Sequence, residues 1–306
     1  MTATAAFRHE VMLYDSRETF VDGAAPFIRD AVAAGEPIMV AIGAEKIDLL
    51  RERLGADAEP VIFEDMARLG ANPARIIPAW QEFVDAHAGL GRPMRGIGEP
   101  IWAGRSPTEL IECQCHEALL NLAFADTPDF HLICPYDTRR LDDEVIAEAE
   151  RSHPFVAGAP SGAYRGDHAV PQFAEPLSEP PESVVEHEIT RDSLAALRAH
   201  TATEAERAGL SPRRSRDLIL AVHEIATNSL RHGGGRGVLR MWPEAGSLIC
   251  EVRDHGRIAQ RPLAGRVRPA LGEAGGWGLW LANQLIDLVQ LRELPDGSVV
   301  RLHQRM

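Results

Sequence analysis

Lysine is nearly absent from this chain of 306 residues: Lys46 stands alone, and the other strongly basic side chains are arginines. A phosphate-cradling loop of the Gly-x-x-x-x-Gly-Lys-Ser/Thr kind requires a lysine directly after its glycines. The stretch "AIGAEKIDLL" around Lys46 offers no such loop, and the same shortage disfavours Schiff-base chemistry. Cysteine is scarce too. Cys113, Cys115, Cys134 and Cys250 contain no Cys-x-x-Cys pair, which gives little support to a zinc ribbon or a thioredoxin-like motif and fits a reducing compartment. No run approaches the roughly 18 apolar residues of a membrane span. The opening "MTATAAFRHEVMLYD" lacks the basic start and apolar stretch of a signal peptide, so a cytoplasmic protein without a membrane partner is expected. Positive charge is also in deficit: a formal net charge of −13 argues against a nucleic-acid partner, which needs a basic surface.

What is present is a globular composition, 45% hydrophobic and 25% charged, in a length suited to two domains of roughly 150 residues. Up to about residue 156, apolar strand-like runs (10–14, 37–42, 60–64, 130–137) alternate with amphipathic helical ones (20–35, 74–90, 106–125, 141–153). That alternation predicts an α/β layer sandwich with a mainly parallel sheet. Residues 157–185, rich in Pro, Gly, Ser and acids and without apolar periodicity, read as a linker. Residues 186–306 then open with a strand (184–189) and two helices (192–209, 211–232). Strands at 237–244, 247–256 and 297–304 follow, with a helix over 278–289, so an α+β sandwich is expected.

The segment "AVHEIATNSLRHGG" carries the chemistry of this second unit. Asp217, Ala221, Glu224, Asn228 and Arg231 recur every three or four residues and share one helix face. An Asn carbonyl suits a hard cation such as Mg²⁺, and a Glu one turn away can accept a proton. Taken alone, the same face also fits a solvated polar stripe. Downstream, "CEVRDHG" ends a strand in Asp254 followed by Gly256, a carboxylate able to accept from an exocyclic amine beside a tight turn. Then "GEAGGWGLW" runs Gly275, Gly276 and Gly278 into a helix, and a glycine-bearing helix N-terminus favours phosphate.

In that order the three segments resemble the GHKL ATPase superfamily, and within it the anti-sigma-factor serine kinases of the RsbW type. The resemblance covers residues 186–306. It implies a Bergerat ATP-binding fold, three helices over a mixed sheet, with ATP and Mg²⁺ as cofactors. Carried over by position, Asn228 holds Mg²⁺ and Glu224 is the general base. Asp254 takes the adenine amine, and Gly256 lets the base approach. Gly275, Gly276 and Gly278, followed by Leu279, form the phosphate turn, while Arg231 and His232 stand near the lid. One departure is visible: Ile258 stands where the family has a second glycine after the Asp. The implied partners are a sigma factor and an antagonist STAS protein that receives a Ser/Thr phosphate; a second copy of the chain is left open as a further partner. A non-catalytic, sigma-sequestering module remains the alternative. A histidine kinase is less well matched, because a Pro-rich stretch replaces the usual dimerisation helices upstream.

The first unit resembles the MEDS (DcmR-type sensory) domain in "HEVMLYD", in Gly98-Glu99-Pro100 and in Cys134-Pro135-Tyr136-Asp137. The resemblance implies a RecA-like α/β fold without a phosphate loop and a role in sensing a small molecule. Ligand candidates are His9, Tyr14, Arg95, Glu99, Trp102, Glu117, Tyr136, Asp137 and His153, each equally readable as hydrogen-bonded framework. Cys113, Cys115 and His116, with Cys134 and His153, are a weaker metal or haem candidate. Cys-x-Cys on a helix points its two sulfurs about 200° apart.

Overall fold

The computed structural model describes residues 7–166, 175–257, 262–269 and 276–306. The chain divides into two compact units, Met1–Phe173 and Ala174–Met306.

In unit 1, β1 (Arg8–Tyr14), β2 (Ile38–Ile42), β3 (Ile62–Asp65), β4 (Met94–Gly98) and β5 (Phe130–Asp137) pair in parallel. A short strand, β6 (Phe155–Val156), adds to β1 in parallel, and β7 (Ala159–Pro160) pairs antiparallel to β6. The order is β3-β2-β4-β5-β1-β6-β7. The connecting helices are α1 (Arg17–Ala34), α2 (Ala44–Leu54), the single turn α3 (Met66–Leu69), α4 (Ile76–His87), α5 (Pro107–Ala123) and α6 (Asp143–Ser152). α1 starts on a Ser16–Thr19 capping box and stops at Gly35, whose φ of 65° an L-residue adopts only with strain. Phe20, Ile28 and Leu50 of α1 and α2 pack with Val40, Ile42 and Ile97 of the strands. A second, aromatic core joins Trp80 of α4, Phe124 and Phe130.

The sequence pattern does not reveal β4, because Gly96 and Gly98 interrupt its apolar run. A Cβ on Gly96 would lie 2.8 Å from the Trp80 ring, and one on Gly98 3.1 Å from it. The glycines thin the strand so that an indole can lie flat against the sheet, which is the close approach that glycine permits in a strand interior.

In unit 2, β8 (Glu186–Ile189), β9 (Gly237–Glu244), β10 (Ser247–Asp254), β11 (Leu288–Leu294) and β12 (Gly297–Arg305) form a sheet of order β11-β12-β10-β9-β8. Every described pairing is antiparallel, not mixed as the family resemblance implies. The helices are α7 (Leu194–Arg207), α8 (Pro212–His232) and α9 (Trp277–Leu285). The helix expected over 278–289 ends at Leu285, and its last residues instead start β11, where Leu288 and Val289 enter the core. Leu218, Val222, Ile225 and Ala226 of α8 pack with Leu239, Val252, Leu302 and Ala282. On the sheet, Arg301 donates to Glu251 at 2.6 Å, and both side chains are 4% exposed. Arg301 also donates to the Ser178 carbonyl at 2.7 Å, and Arg292 to that of Glu175 at 3.1 Å. The Pro-rich stretch is therefore docked on β11 and β12 at its C-terminal end, while β7 folds its N-terminal end onto unit 1.

Candidate functional site

α8 is long enough to carry core and site on different faces. It starts at Ser211, whose side chain accepts from Arg214 N, with Pro212 at the first turn. Ala221, Ile225 and Ser229 are buried, whereas Glu224 and Asn228 lie half-buried one turn apart. Among the described residues neither the Glu224 carboxylate nor the Asn228 amide has a hydrogen-bond partner inside the protein. Arg231 and His232 are exposed at the end of the helix.

α9 closes over this pair. Its N-cap Gly276 is left-handed, at φ 84°. Gly278, in the first turn, faces α8: a Cβ there would meet Asn228 Nδ2 at 2.8 Å, Glu224 Oε2 at 3.2 Å and Asn228 Oδ1 at 3.3 Å. Leu279, the neighbour, packs into the core, and a Cβ on Gly265 would lie 2.5 Å from its Cγ. Asn283 donates to the Gly265 carbonyl at 2.9 Å, so the segment 262–269 is fastened to α9. Gly275 and Ile258 lie outside the described residues.

Asp254 ends β10 and meets α8 at Ser229, the residue after Asn228. Ser229 Oγ donates to its Oδ2 at 2.6 Å, and Ser298 Oγ and Gly256 N donate to its Oδ1, both at 2.9 Å. Three donors leave one lone pair of a carboxylate free, on Oδ2. Glycines make the space: a Cβ on Gly233 would meet Asp254 Cγ at 2.5 Å, and one on Gly256 the His232 carbonyl at 2.7 Å. The sequence pattern singles out Asp254 and Gly256 but not Ser229, Ser298 and Gly233, which contact or flank them. Ser229, directly after Asn228 on a face otherwise apolar, was the available signal.

In unit 1 the sensory candidates separate into two groups. Tyr14, Glu99 and Asp137 stand at the carboxyl ends of parallel strands β1, β4 and β5, where open α/β sheets bind ligands. Tyr14 OH donates to Glu99 Oε1 at 2.7 Å, and the Lys46 ammonium contacts both. Burial pushes the Glu99 carboxyl up against the pull of Lys46, and burial with the Glu99 charge pushes the Tyr14 phenol well up. Asp137 accepts from Arg139 N at 3.1 Å. Trp102 is stacked under Arg105, 3.7 Å from its ring, and Arg95 pairs with Glu36 at 2.6 Å, both as framework. The second group is His9, Glu117, Cys134 and His153, fully buried together, with Tyr136 edge-on to His153. Burial and the facing His153 ring pull the His9 imidazole down to about 4. Cys134 and His153 thus meet as expected. Cys113, Cys115 and His116 are not in the group, and His9 and Glu117 take their place.

Two unpartnered side chains of α8 thus face the glycine-bearing first turn of α9, and comparison with known proteins places this unit in a class. The family model "Histidine kinase-like ATPase domain" matches residues 188–303 and implies ATP binding. The model "MEDS: MEthanogen/methylotroph, DcmR Sensory domain" matches residues 8–154. The chain therefore joins a MEDS sensory domain to a histidine kinase-like ATPase domain, the layout of a signalling regulator. No curated protein matches it. Among solved structures it is similar to the RsbU and RsbW domains of Rv1364c from Mycobacterium tuberculosis, at 18% identity and a TM-score of 0.31. That alignment covers 41% of this chain and 33% of the other, so the chain spans about a third of that structure's length. No helix among the described residues is long and apolar enough to cross a membrane.

Proposed function

We propose that unit 2 binds ATP with Mg²⁺ and acts as a serine/threonine kinase of the anti-sigma type, under control of the MEDS unit. The observation that carries this reading is the approach of Gly278 to the unpartnered oxygens of Glu224 and Asn228. Two hard oxygen donors beside a helix N-terminus fit a Mg²⁺–phosphate group. When bound, the ion neutralises charge on the phosphates. Asn228 holds the ion through its amide oxygen, and Glu224 accepts the proton of the substrate hydroxyl. Asp254 accepts from the adenine amine with its spare Oδ2 lone pair, and Gly256 keeps the approach open. Gly276 and Gly278, with Gly275 next to them in sequence, present backbone to phosphate. Leu279 anchors that turn in the core. Arg231 supplies positive charge at the rim, with His232 beside it as a polar group. The partners of this reading are a sigma factor and a STAS protein.

The test is incubation with labelled ATP and a panel of STAS-domain proteins. Acid-stable label on a partner Ser or Thr, abolished in Glu224→Ala while nucleotide binding persists, is the expected result. Nucleotide binding without transfer to any partner supports sequestration of a sigma factor instead. Acid-labile label on a histidine of the chain itself indicates a histidine kinase.

A further inference from the structure

Four side chains from four separate elements meet in the dry interior of unit 1: His9 on β1, Glu117 on α5, Cys134 on β5 and His153 directly after α6. All four are buried, at 0–1% exposure, and one ligand atom from each lies within 4.8 Å of the others. The contacts around the group are short. His9 Nε2 is 3.1 Å from Glu117 Oε2 and 3.3 Å from Cys134 Sγ. His153 Nε2 is 3.2 Å, and Cys134 Sγ 3.4 Å, from the same Glu117 oxygen.

The proton inventory of this pocket does not balance. Asn121 uses its amide nitrogen on the Ser152 carbonyl, at 2.7 Å, which turns its Oδ1 toward His9 Nδ1 at 3.1 Å. His9 therefore carries its proton on Nδ1. His153 Nδ1 faces the Ala149 carbonyl at 2.8 Å, a group that only accepts, so its proton is on Nδ1 as well. Both Nε2 lone pairs then point at a carboxylate oxygen. Three acceptors converge, with one weak S–H donor among them. One added proton would satisfy a single Nε2–Oε2 contact and leave the other ring's lone pair against the carboxylate. Protonating both rings would place two cations in van der Waals contact, their centroids 3.9 Å apart, without solvent. His153 Nε2 and Glu117 Oε1 accordingly lack a hydrogen-bond partner among the described residues.

We propose that this pocket is a metal site, in which His9 Nε2, His153 Nε2, a Glu117 oxygen and the Cys134 thiolate hold one divalent transition ion of the zinc class. A cation at the centre turns each repulsive acceptor contact into a ligand bond. Imidazole, carboxylate and thiolate are each established zinc ligands, and four of them complete a tetrahedral site. Its bond lengths of about 2.0–2.3 Å place tetrahedral ligand atoms about 3.3–3.6 Å apart, close to the contacts here. The outward Nδ1–H bonds to Asn121 and Ala149 are the second shell that such imidazoles require. Binding displaces the Cys134 proton to solvent, so the step balances as metal ion in, one proton out. The ion would tie α5 and α6 to the central strands of the sensory sheet.

The test uses the full chain, stripped by chelator and titrated with Zn²⁺ in competition with a chromogenic chelator, then with Co²⁺. One equivalent of Zn²⁺ per chain and a thiolate-to-cobalt charge-transfer band are expected. The band disappears in Cys134→Ser and persists in Cys113→Ser, a buried cysteine outside the group. Asn121→Ala, which removes the second-shell acceptor of His9 together with the amide bond to Ser152 but no metal ligand, weakens binding by about 10–100-fold. If Cys134→Ser fails to fold, the wild-type cobalt spectrum and the Asn121→Ala affinity decide. Failure to retain either ion, or a cobalt spectrum without thiolate character, overturns the proposal.

Discussion

Gly278 stands so close to Asn228 that a single added methyl carbon would lie 2.8 Å from the amide nitrogen. The nearest atoms belong to side-chain ends, so the protein can absorb an alanine there by swinging Asn228 and Glu224 aside. Gly278→Ala is therefore expected to leave the melting temperature almost unchanged. Nucleotide affinity should fall at least tenfold, about 1.4 kcal/mol. Titration with a fluorescent ATP analogue, beside a thermal melt, separates the two effects. Unchanged affinity would detach the Glu224–Asn228 face from nucleotide binding.

Asp254 reads an amine if its free Oδ2 lone pair meets adenine. Asp254→Asn replaces that acceptor with a group that can also donate. ATP affinity is expected to drop by at least tenfold, while inosine triphosphate, with a carbonyl in place of the amine, is affected less. Competition between the two nucleotides measures the ratio; an unaltered ratio removes Asp254 from base recognition.

Unit 2 should weaken in mild acid. The rings of His187 and His200 lie 3.9 Å apart, and burial, then the neighbouring His187, lowers the His200 pKa below 6.5. A histidine depressed in the folded state is protonated more readily by the unfolded chain. Its stability contribution is thus present above pH 6.5 and lost as pH falls through the folded value. Urea midpoints between pH 7.5 and 5.5 should show the loss, and His187→Gln should reduce it.

The only lysine is a structural partner of Glu99, whose side chain is 3% exposed. Lys46→Met strands that carboxylate and is expected to cost unit 1 about 1–3 kcal/mol, less than a fully buried pair because Lys46 reaches solvent. Adding Glu99→Gln should restore part of the loss. Additive effects in this double-mutant cycle would show that the two side chains do not interact.

Gly96→Ala drives a methyl group into both Trp80 and Leu132, each at 2.8 Å. Overpacking of this kind costs about 1–3 kcal/mol, read as a lower urea midpoint for unit 1. Wild-type stability in this variant would mean that the indole is free to move.

The ATPase unit was legible because its signal is short-range. Glu224 and Asn228 share one helix, and a glycine run announces the start of the next. Ser298, which helps to hold Asp254, comes from β12 and has no marker in its own neighbourhood. The buried group in unit 1 was only half visible for the same reason. His9 and Glu117 are 108 residues apart, and two strands and two helices must pack before the four side chains meet. β4 escaped notice because its glycines make room for Trp80, a tertiary demand that erases the local pattern. β11 was absorbed into the preceding helix because Leu285, Ile286, Leu288 and Val289 continue an apolar run across the boundary.

The sole side-chain amine of the chain is engaged with Tyr14 and Glu99 in the sensory unit. Every strongly basic group on the ATPase unit is consequently a guanidinium, which keeps its charge to beyond about pH 12 and offers nothing to acetyl-transfer or isopeptide ligation. The charge of those guanidinium groups is permanent, and any switching of the surface has to come from its histidines and acidic side chains, from bound ligands or from the opposing protein.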